Sequence, residues 1–182
     1  MCIRDSTEEA AQSPAGAQGL FWLPYLMGER TPHLDATARG GWIGLTNSHK
    51  RADLIRAVIE GVSYSQRDCL DIVASLGVPL SSVRASGGGA QSAFWRQLLA
   101  DILGKRVVTL ETQEGSAYGA ALLALAGTGE YGSVTEVCRS AIRETESVSP
   151  RLTETAYYGK AYGVYQALYP ALKPIFAKIA EL

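Results

Sequence analysis

The chain contains few of the residues on which metal, disulfide or redox chemistry depends. Its 182 residues include only three cysteines and two histidines. Cys2, Cys69 and Cys138 form no CxxC pair, and none stands at metal-ligand spacing from His33 or His49. This distribution argues against a zinc site and a disulfide framework, and it is typical of idle thiols in a reducing compartment.

The chain also lacks an excess of charge and a long apolar run. Its net charge is -1 and its basic residues are scattered, which disfavours a nucleic-acid partner. The longest apolar run, residues 117–126, is far short of the ~20 residues that span a bilayer. Residues 1–6 do not resemble a signal peptide. We therefore expect a cytoplasmic globular domain with no membrane partner.

A glycine turn is the most informative feature that is present. Residues 86–90 read Ser-Gly-Gly-Gly-Ala, after a β-type run at 83–85 and before a helical run that begins near Ser92. Glycine lets the backbone approach a ligand closely, and the start of a helix offers N–H groups to a phosphate. The pattern is therefore a candidate nucleotide site. It also approaches the dinucleotide fingerprint, which it misses at the third glycine, and a glycine turn can serve packing alone.

Hydrophobic periodicity predicts strands at 20–26 and 42–45 and a helix at 53–76. Asn47 or Ser48 is the expected cap of that helix, and Gly77 is its expected end. A glycine within a helix is unfavourable. Gly61 therefore predicts a close contact at that point of the helix.

A βαβ unit follows in the sequence. The pattern predicts a strand at 83–85, a helix to Leu103 and a strand at 106–110, with parallel strands and a right-handed crossover. A helix is expected to open at Glu114-Gly115-Ser116 and to end at Gly127. The aromatic stripe of residues 157–182 predicts a helical face that docks on the sheet or on a partner domain, broken by Pro170 and Pro174.

Several segments together resemble one known family. They are residues 23–33 (LPYLMGERTPH), 38–41 (ARGG), 44–46 (GLT), 54–62 (LIRAVIEGV), 86–90 (SGGGA), 95–102 (WRQLLADI) and 115–121 (GSAYGAA). In this order they resemble the FGGY family of carbohydrate kinases, and within it the xylulokinases. The resemblance implies an α/β domain of the ribonuclease-H-like, actin-like ATPase fold.

The resemblance also implies which part of such a kinase this chain is. Residues 7–182 resemble the C-terminal, ATP-binding domain without its first strands, whereas residues 1–6 are a leader that does not resemble the family. The ATP-binding residues that it implies are Gly87, Gly88, Gly89, Ala90 and Ser92. It implies no catalytic residue here, because the family's catalytic aspartate and sugar contacts belong to the N-terminal domain, which is expected as a missing partner.

The expected parent enzyme transfers the γ-phosphoryl of ATP, with Mg²⁺, to a ketopentose such as D-xylulose. The chain alone is expected to be inactive. Two other readings stay open, a Rossmann-type NAD-binding oxidoreductase fragment and a non-catalytic nucleotide-binding module. The loop of residues 28–35, with Glu29, Arg30, His33 and Asp35, could face the interdomain cleft or could simply form a turn held by an ion pair. The sequence does not decide whether the chain forms a homodimer.

Overall fold

The computed structural model describes residues 3–112 and 115–182 of the chain. Within these ranges the chain forms both helices and strands, in agreement with the predicted α/β class. They are α1 (Ile3–Ala10), β1 (Phe21–Leu23), β2 (Gly41–Ile43), α2 (Arg51–Ser75), β3 (Ser82–Ala85), α3 (Ala93–Leu103), β4 (Arg106–Leu110), α4 (Gly115–Gly127), α5 (Val134–Ala141), β5 (Glu144–Val148) and α6 (Leu152–Ala180).

The strands form two sheets. β1 and β2 pair antiparallel, with Trp22 opposite Trp42. The larger sheet has the order β3-β4-β5, in which β4 runs parallel to β3 and antiparallel to β5. The parallel pair joined through α3 confirms the predicted βαβ unit. Val107 and Val108 of β4 are fully buried, because this strand lies at the centre of the sheet.

The prediction does not include β5 and α5. β5 is an exposed strand, and its sequence, Glu-Thr-Glu-Ser-Val, has no apolar alternation. α5 is only eight residues long, and its Ser133 caps the helix by accepting a hydrogen bond from the Glu136 N–H. Elements of five and eight residues give too short a pattern for a sequence prediction, since their formation depends on the neighbours against which they lie.

The main core lies where α2 meets α6. The ring of Tyr64 in α2 contacts the rings of Tyr158, Tyr162 and Tyr165 in α6, with centroids 5.0 to 6.3 Å apart. These aromatic side chains are buried. The aromatic stripe is therefore a docking face, as predicted, but these rings pack on helix α2 and not on a sheet.

α6 continues through both prolines, so the predicted break is wrong. A proline removes one hydrogen bond of the helix backbone and crowds the preceding turn. Tyr169 and Phe176, on either side of the prolines, are buried in the core and hold both halves of the helix against it. Tertiary packing therefore outweighs the local tendency of Pro170 and Pro174 to end a helix.

The N-cap predicted for α2 is also wrong, whereas the end predicted at Gly77 is confirmed, because the helix ends at Ser75 and Gly77 follows with a φ of 79°. The helix begins at Arg51 with Lys50 as its N-cap, and the backbone N–H of Lys50 donates to Asp53 Oδ2 at 2.8 Å. Asn47 and Ser48 instead belong to a preceding turn. Asp53 is buried and also accepts a hydrogen bond from the Ser13 hydroxyl at 2.6 Å, so a contact distant in sequence decides where the helix starts.

The close contact predicted at Gly61 is confirmed. A Cβ atom there would lie 2.1 Å from the carbonyl oxygen of Trp22, so α2 packs directly on the backbone of β1. The predicted opening of α4 at Glu114 lies outside the described residues, and the helix runs from Gly115 to Gly127. No helix in the described ranges has the length and apolarity that crossing a membrane would require.

Candidate nucleotide-binding cleft

The cleft lies beyond the carboxyl ends of the parallel strands β3 and β4. Ligands of open α/β sheets bind at this edge, because the loops that leave neighbouring strands meet there. The cleft has a volume of about 360 Å³. Its walls come from the glycine turn, from the end of β4 and from β5; the residues that line it are Ala85, Ser86, Gly87, Ala90, Gln91, Arg96, Thr109, Leu110, Thr112, Thr145 and Glu146.

The glycine turn enters the cleft through two of the predicted residues, Gly87 and Ala90. Gly87 has a φ of 84° and a ψ of −175°, a conformation that is essentially restricted to glycine. The turn then closes with a hydrogen bond from the Ala90 N–H to the Gly87 carbonyl at 3.1 Å. The backbone therefore reverses at Gly87 and presents its bare edge to the cleft.

The other three predicted residues lie around this edge. Gly88 and Gly89 belong to the short 3-10 turn that follows Gly87. Gly89 lines a second groove of about 560 Å³, between α2 and α3, and a Cβ atom at Gly89 would lie 3.1 Å from the ring of Trp95. Ser92 caps α3, since its hydroxyl accepts a hydrogen bond from the Trp95 N–H at 3.3 Å. Direct nucleotide contact by these three residues stays a prediction.

The polar walls of the cleft come from residues that the sequence patterns do not single out. Thr109 of β4 and Thr145 of β5 join their hydroxyls at 2.8 Å across the pair of strands. The start of α4 also lies beside the turn, because a Cβ atom at Gly115 would be 3.5 Å from the Ser86 hydroxyl. Thr109 reaches the glycine turn because β4 pairs with β3, and Thr145 reaches it because β5 pairs with β4.

Arg96 is the basic side chain of the cleft. Its Nη1 donates to the Ala90 carbonyl at 2.6 Å, and its Nη2 forms an ion pair with Glu146. Arg96 stands one turn into α3, immediately after the glycine turn. That position, and its place in the family-like segment of residues 95–102, are sequence signals that could have marked it.

The loop that contains Glu29, Arg30, His33 and Asp35 forms an aromatic site that is separate from the cleft. Among the described residues, no ion pair joins Glu29 to Arg30; Glu29 instead accepts a hydrogen bond from the Thr31 N–H at 2.9 Å. The ring of His33 stacks on Tyr169 with a centroid distance of 3.5 Å, and burial lowers the pKa of His33.

Asp35 fastens the same loop to α6. Its carboxylate accepts hydrogen bonds from the Thr37 hydroxyl at 2.6 Å and the Tyr169 hydroxyl at 2.7 Å. These hydrogen bonds, with the one from the Thr37 N–H, lower the pKa of Asp35 to about 2. The described part of the chain brings no three His, Cys, Asp or Glu residues together as a metal centre.

Comparison with known proteins identifies the family. A model of the FGGY family of carbohydrate kinases, C-terminal domain, matches residues 4–128. A xylulose kinase of Staphylococcus epidermidis is 41% identical over 173 residues, which cover 95% of this chain and 35% of that protein. Helix α1 begins at Ile3, inside the segment of residues 1–6 that is expected to be a leader. The domain boundary expected after residue 6 stays a prediction.

Solved structures of sugar kinases share the fold. A ligand-bound xylulose kinase from Lactobacillus acidophilus has a TM-score of 0.89 and 32% identity, covering 97% of this chain and 36% of that one. A gluconate kinase from the same organism has a TM-score of 0.88, also at 32% identity, covering 97% of this chain and 36% of that one. The chain thus spans about a third of the length of these relatives. Its sequence and its fold agree that it belongs to the FGGY family of carbohydrate kinases, where it matches the C-terminal domain.

Proposed function

We propose that this chain provides the adenine-nucleotide side of a carbohydrate kinase, with the nucleotide in the cleft beside the glycine turn. The whole protein would transfer the γ-phosphoryl group of ATP, bound with Mg²⁺, to a ketopentose, D-xylulose. The observation that carries the proposal is the position of the cleft. It lies at the carboxyl edge of a parallel strand pair and is bordered by Gly87, whose backbone is exposed.

The composition of the cleft supports a nucleotide. Its walls combine backbone and hydroxyl groups, which can hydrogen-bond to ribose and phosphate oxygens, with the side chain of Leu110, which offers apolar contact to a flat base. Glu111, the acid that a dinucleotide-binding fold would direct to a ribose, does not line the cleft. Membership of the kinase family also argues against the oxidoreductase alternative.

Phosphoryl transfer depends mainly on the positioning of the reactants and on charge neutralisation. In the proposed reaction this chain binds and orients the nucleotide. The catalytic base and the sugar contacts would come from the N-terminal domain of the parent protein, and the chain alone would be inactive. D-xylulose is favoured because the relatives above include xylulose kinases, while the gluconate kinase makes gluconate the alternative substrate to test.

The experiment that tests the proposal is a calorimetric titration of the purified chain with ATP, ADP and NADH. We expect binding of both adenosine phosphates and weaker binding of NADH, whose second nucleotide has no place in a cleft of this size. Replacing Gly87 with alanine should weaken ATP binding about tenfold or more, because a side chain disfavours the backbone conformation of the turn.

Gly77→Ala is the matched control. Gly77 also has a positive φ, 79°, and among the described residues no atom lies within 4 Å of the Cβ position at either glycine. Both substitutions therefore strain the backbone without a steric clash, but only Gly87 lines the cleft. Absence of adenine-nucleotide binding, or an equal effect of both substitutions on affinity, would contradict the proposal.

A further inference from the structure

Arg96 links the two sides of the proposed nucleotide cleft. On one side its guanidinium donates to the Ala90 carbonyl at 2.6 Å, at the end of the glycine turn. On the other side it pairs with the Glu146 carboxylate of β5. The side chain of Arg96 is only 11% exposed, whereas that of Glu146 is 68% exposed. The arginine is therefore held inside the wall of the cleft, and its acidic partner lies at the surface.

The Nε donor of the guanidinium shows that this orientation lowers stability. Arg96 Nε is buried and has no hydrogen-bond partner among the described residues. Buried donors normally have partners, and an unsatisfied one lowers stability. Because the Nε atom is buried, it cannot reach a ligand in the cleft. The hydrogen bonds that the structure shows for the guanidinium are those from Nη1 to the Ala90 carbonyl and from Nη2 to Glu146.

We propose that Arg96 is a positioning residue for nucleotide binding, which holds the glycine turn through the Ala90 carbonyl while Glu146 keeps the guanidinium in place. The inference rests on the proposed function and deepens it. Gly87, at the other end of the turn, depends on this restraint, because the hydrogen bond from the Ala90 N–H returns to the Gly87 carbonyl. Without the hydrogen bond from Arg96 to the Ala90 carbonyl, the turn would no longer hold the Gly87 backbone in a fixed position beside the nucleotide.

The neutral charge of the Arg96–Glu146 ion pair predicts how variants of the two residues should bind ATP. Arg96 and Glu146 together are neutral, so loss of the arginine leaves an unpaired carboxylate beside a polyanionic ligand. Arg96→Met should therefore weaken ATP binding more than the double variant Arg96→Met/Glu146→Gln does. Glu146→Gln alone should weaken binding slightly, since the guanidinium loses its second contact. An arginine that bound the phosphates directly would instead bind them more tightly after Glu146→Gln.

The test combines calorimetric titration with ATP and hydrogen exchange of the free protein. We expect Arg96→Met to lower ATP affinity about tenfold or more, the effect of losing one charge-assisted hydrogen bond. Amide exchange should become faster across residues 87–92 in the same variant without nucleotide. Arg96→Lys should restore part of both properties, because an ammonium group can still donate to Ala90.

Arg84→Met is the matched control for a lost ion pair. Arg84 of β3 pairs with Glu144 of β5 at 3.3 Å, but neither residue lines the cleft. Its ATP affinity should equal that of the wild type. Unchanged exchange across residues 87–92 in Arg96→Met, or tighter ATP binding by Glu146→Gln, would overturn the inference. A wild-type chain that binds no adenine nucleotide would overturn the proposed function, whereas the exchange data decide separately whether Arg96 holds the turn.

Discussion

Replacing Gly61 with alanine should destabilise the protein, although alanine is the better helix former. Gly61 is buried inside α2, where the backbone of β1 crosses it. A Cβ atom at this position would lie 2.1 Å from the carbonyl oxygen of Trp22, well inside the 3.4 Å at which ordinary contact begins. The obstacle is backbone, so it cannot turn away as a side chain would.

Two opposing effects determine how much Gly61→Ala changes the free energy of unfolding. Gly→Ala in a helix interior stabilises by about 1 kcal/mol. Overpacking a close contact costs about 1–3 kcal/mol, and here α2 must also draw its Ala57 away from Leu20 and Trp22, with which it forms an apolar cluster. The upper end of that range applies, because both elements in contact are backbone. We therefore expect a net loss of about 2 kcal/mol in the free energy of unfolding.

Urea denaturation and thermal melting measure this loss. Gly159→Ala is the matched control, because Gly159 lies on the exposed side of α6 and, among the described residues, no atom lies within 4 Å of its Cβ position. The control should gain up to about 1 kcal/mol, which separates the two melting temperatures by about 6–12 °C. A Gly61→Ala protein as stable as Gly159→Ala would refute the reasoning and would place β1 further from α2.

Two other predictions concern charged groups that hold the fold together. Arg56→Met should lower the free energy of unfolding by about 3–5 kcal/mol in urea titrations, since the buried Glu60 loses its 2.7 Å ion pair; a loss below about 1 kcal/mol would contradict this. Asp35, with a folded pKa of about 2 against an ordinary 3.8, stabilises the protein above its ordinary pKa and loses that effect as the pH falls toward 2. Melting temperatures measured across this interval should fall more steeply for the wild type than for Asp35→Asn, and equal slopes would contradict the assignment.

The sequence by itself determined the local framework of the site. The run of glycines at 87–89, between a β-type run and an amphipathic run, predicts a strand, a turn and a helix, and the structure has all three. Short-range physics is sufficient for this result, because strand and helix periods and the conformational freedom of glycine are properties of neighbouring residues. The family resemblance likewise depends on residues read in order.

Only the tertiary structure decided which groups surround that turn. Arg96 and Glu146 are fifty residues apart, and they meet because β5 pairs antiparallel with β4. β5 is polar and exposed, so no hydrophobic pattern predicts it. The start of α2 and the continuity of α6 were misread for a related reason. At both places, contacts with residues distant in sequence contribute more free energy than the local preference for a capping residue or the local cost of a proline. Those contacts exist only in the folded chain.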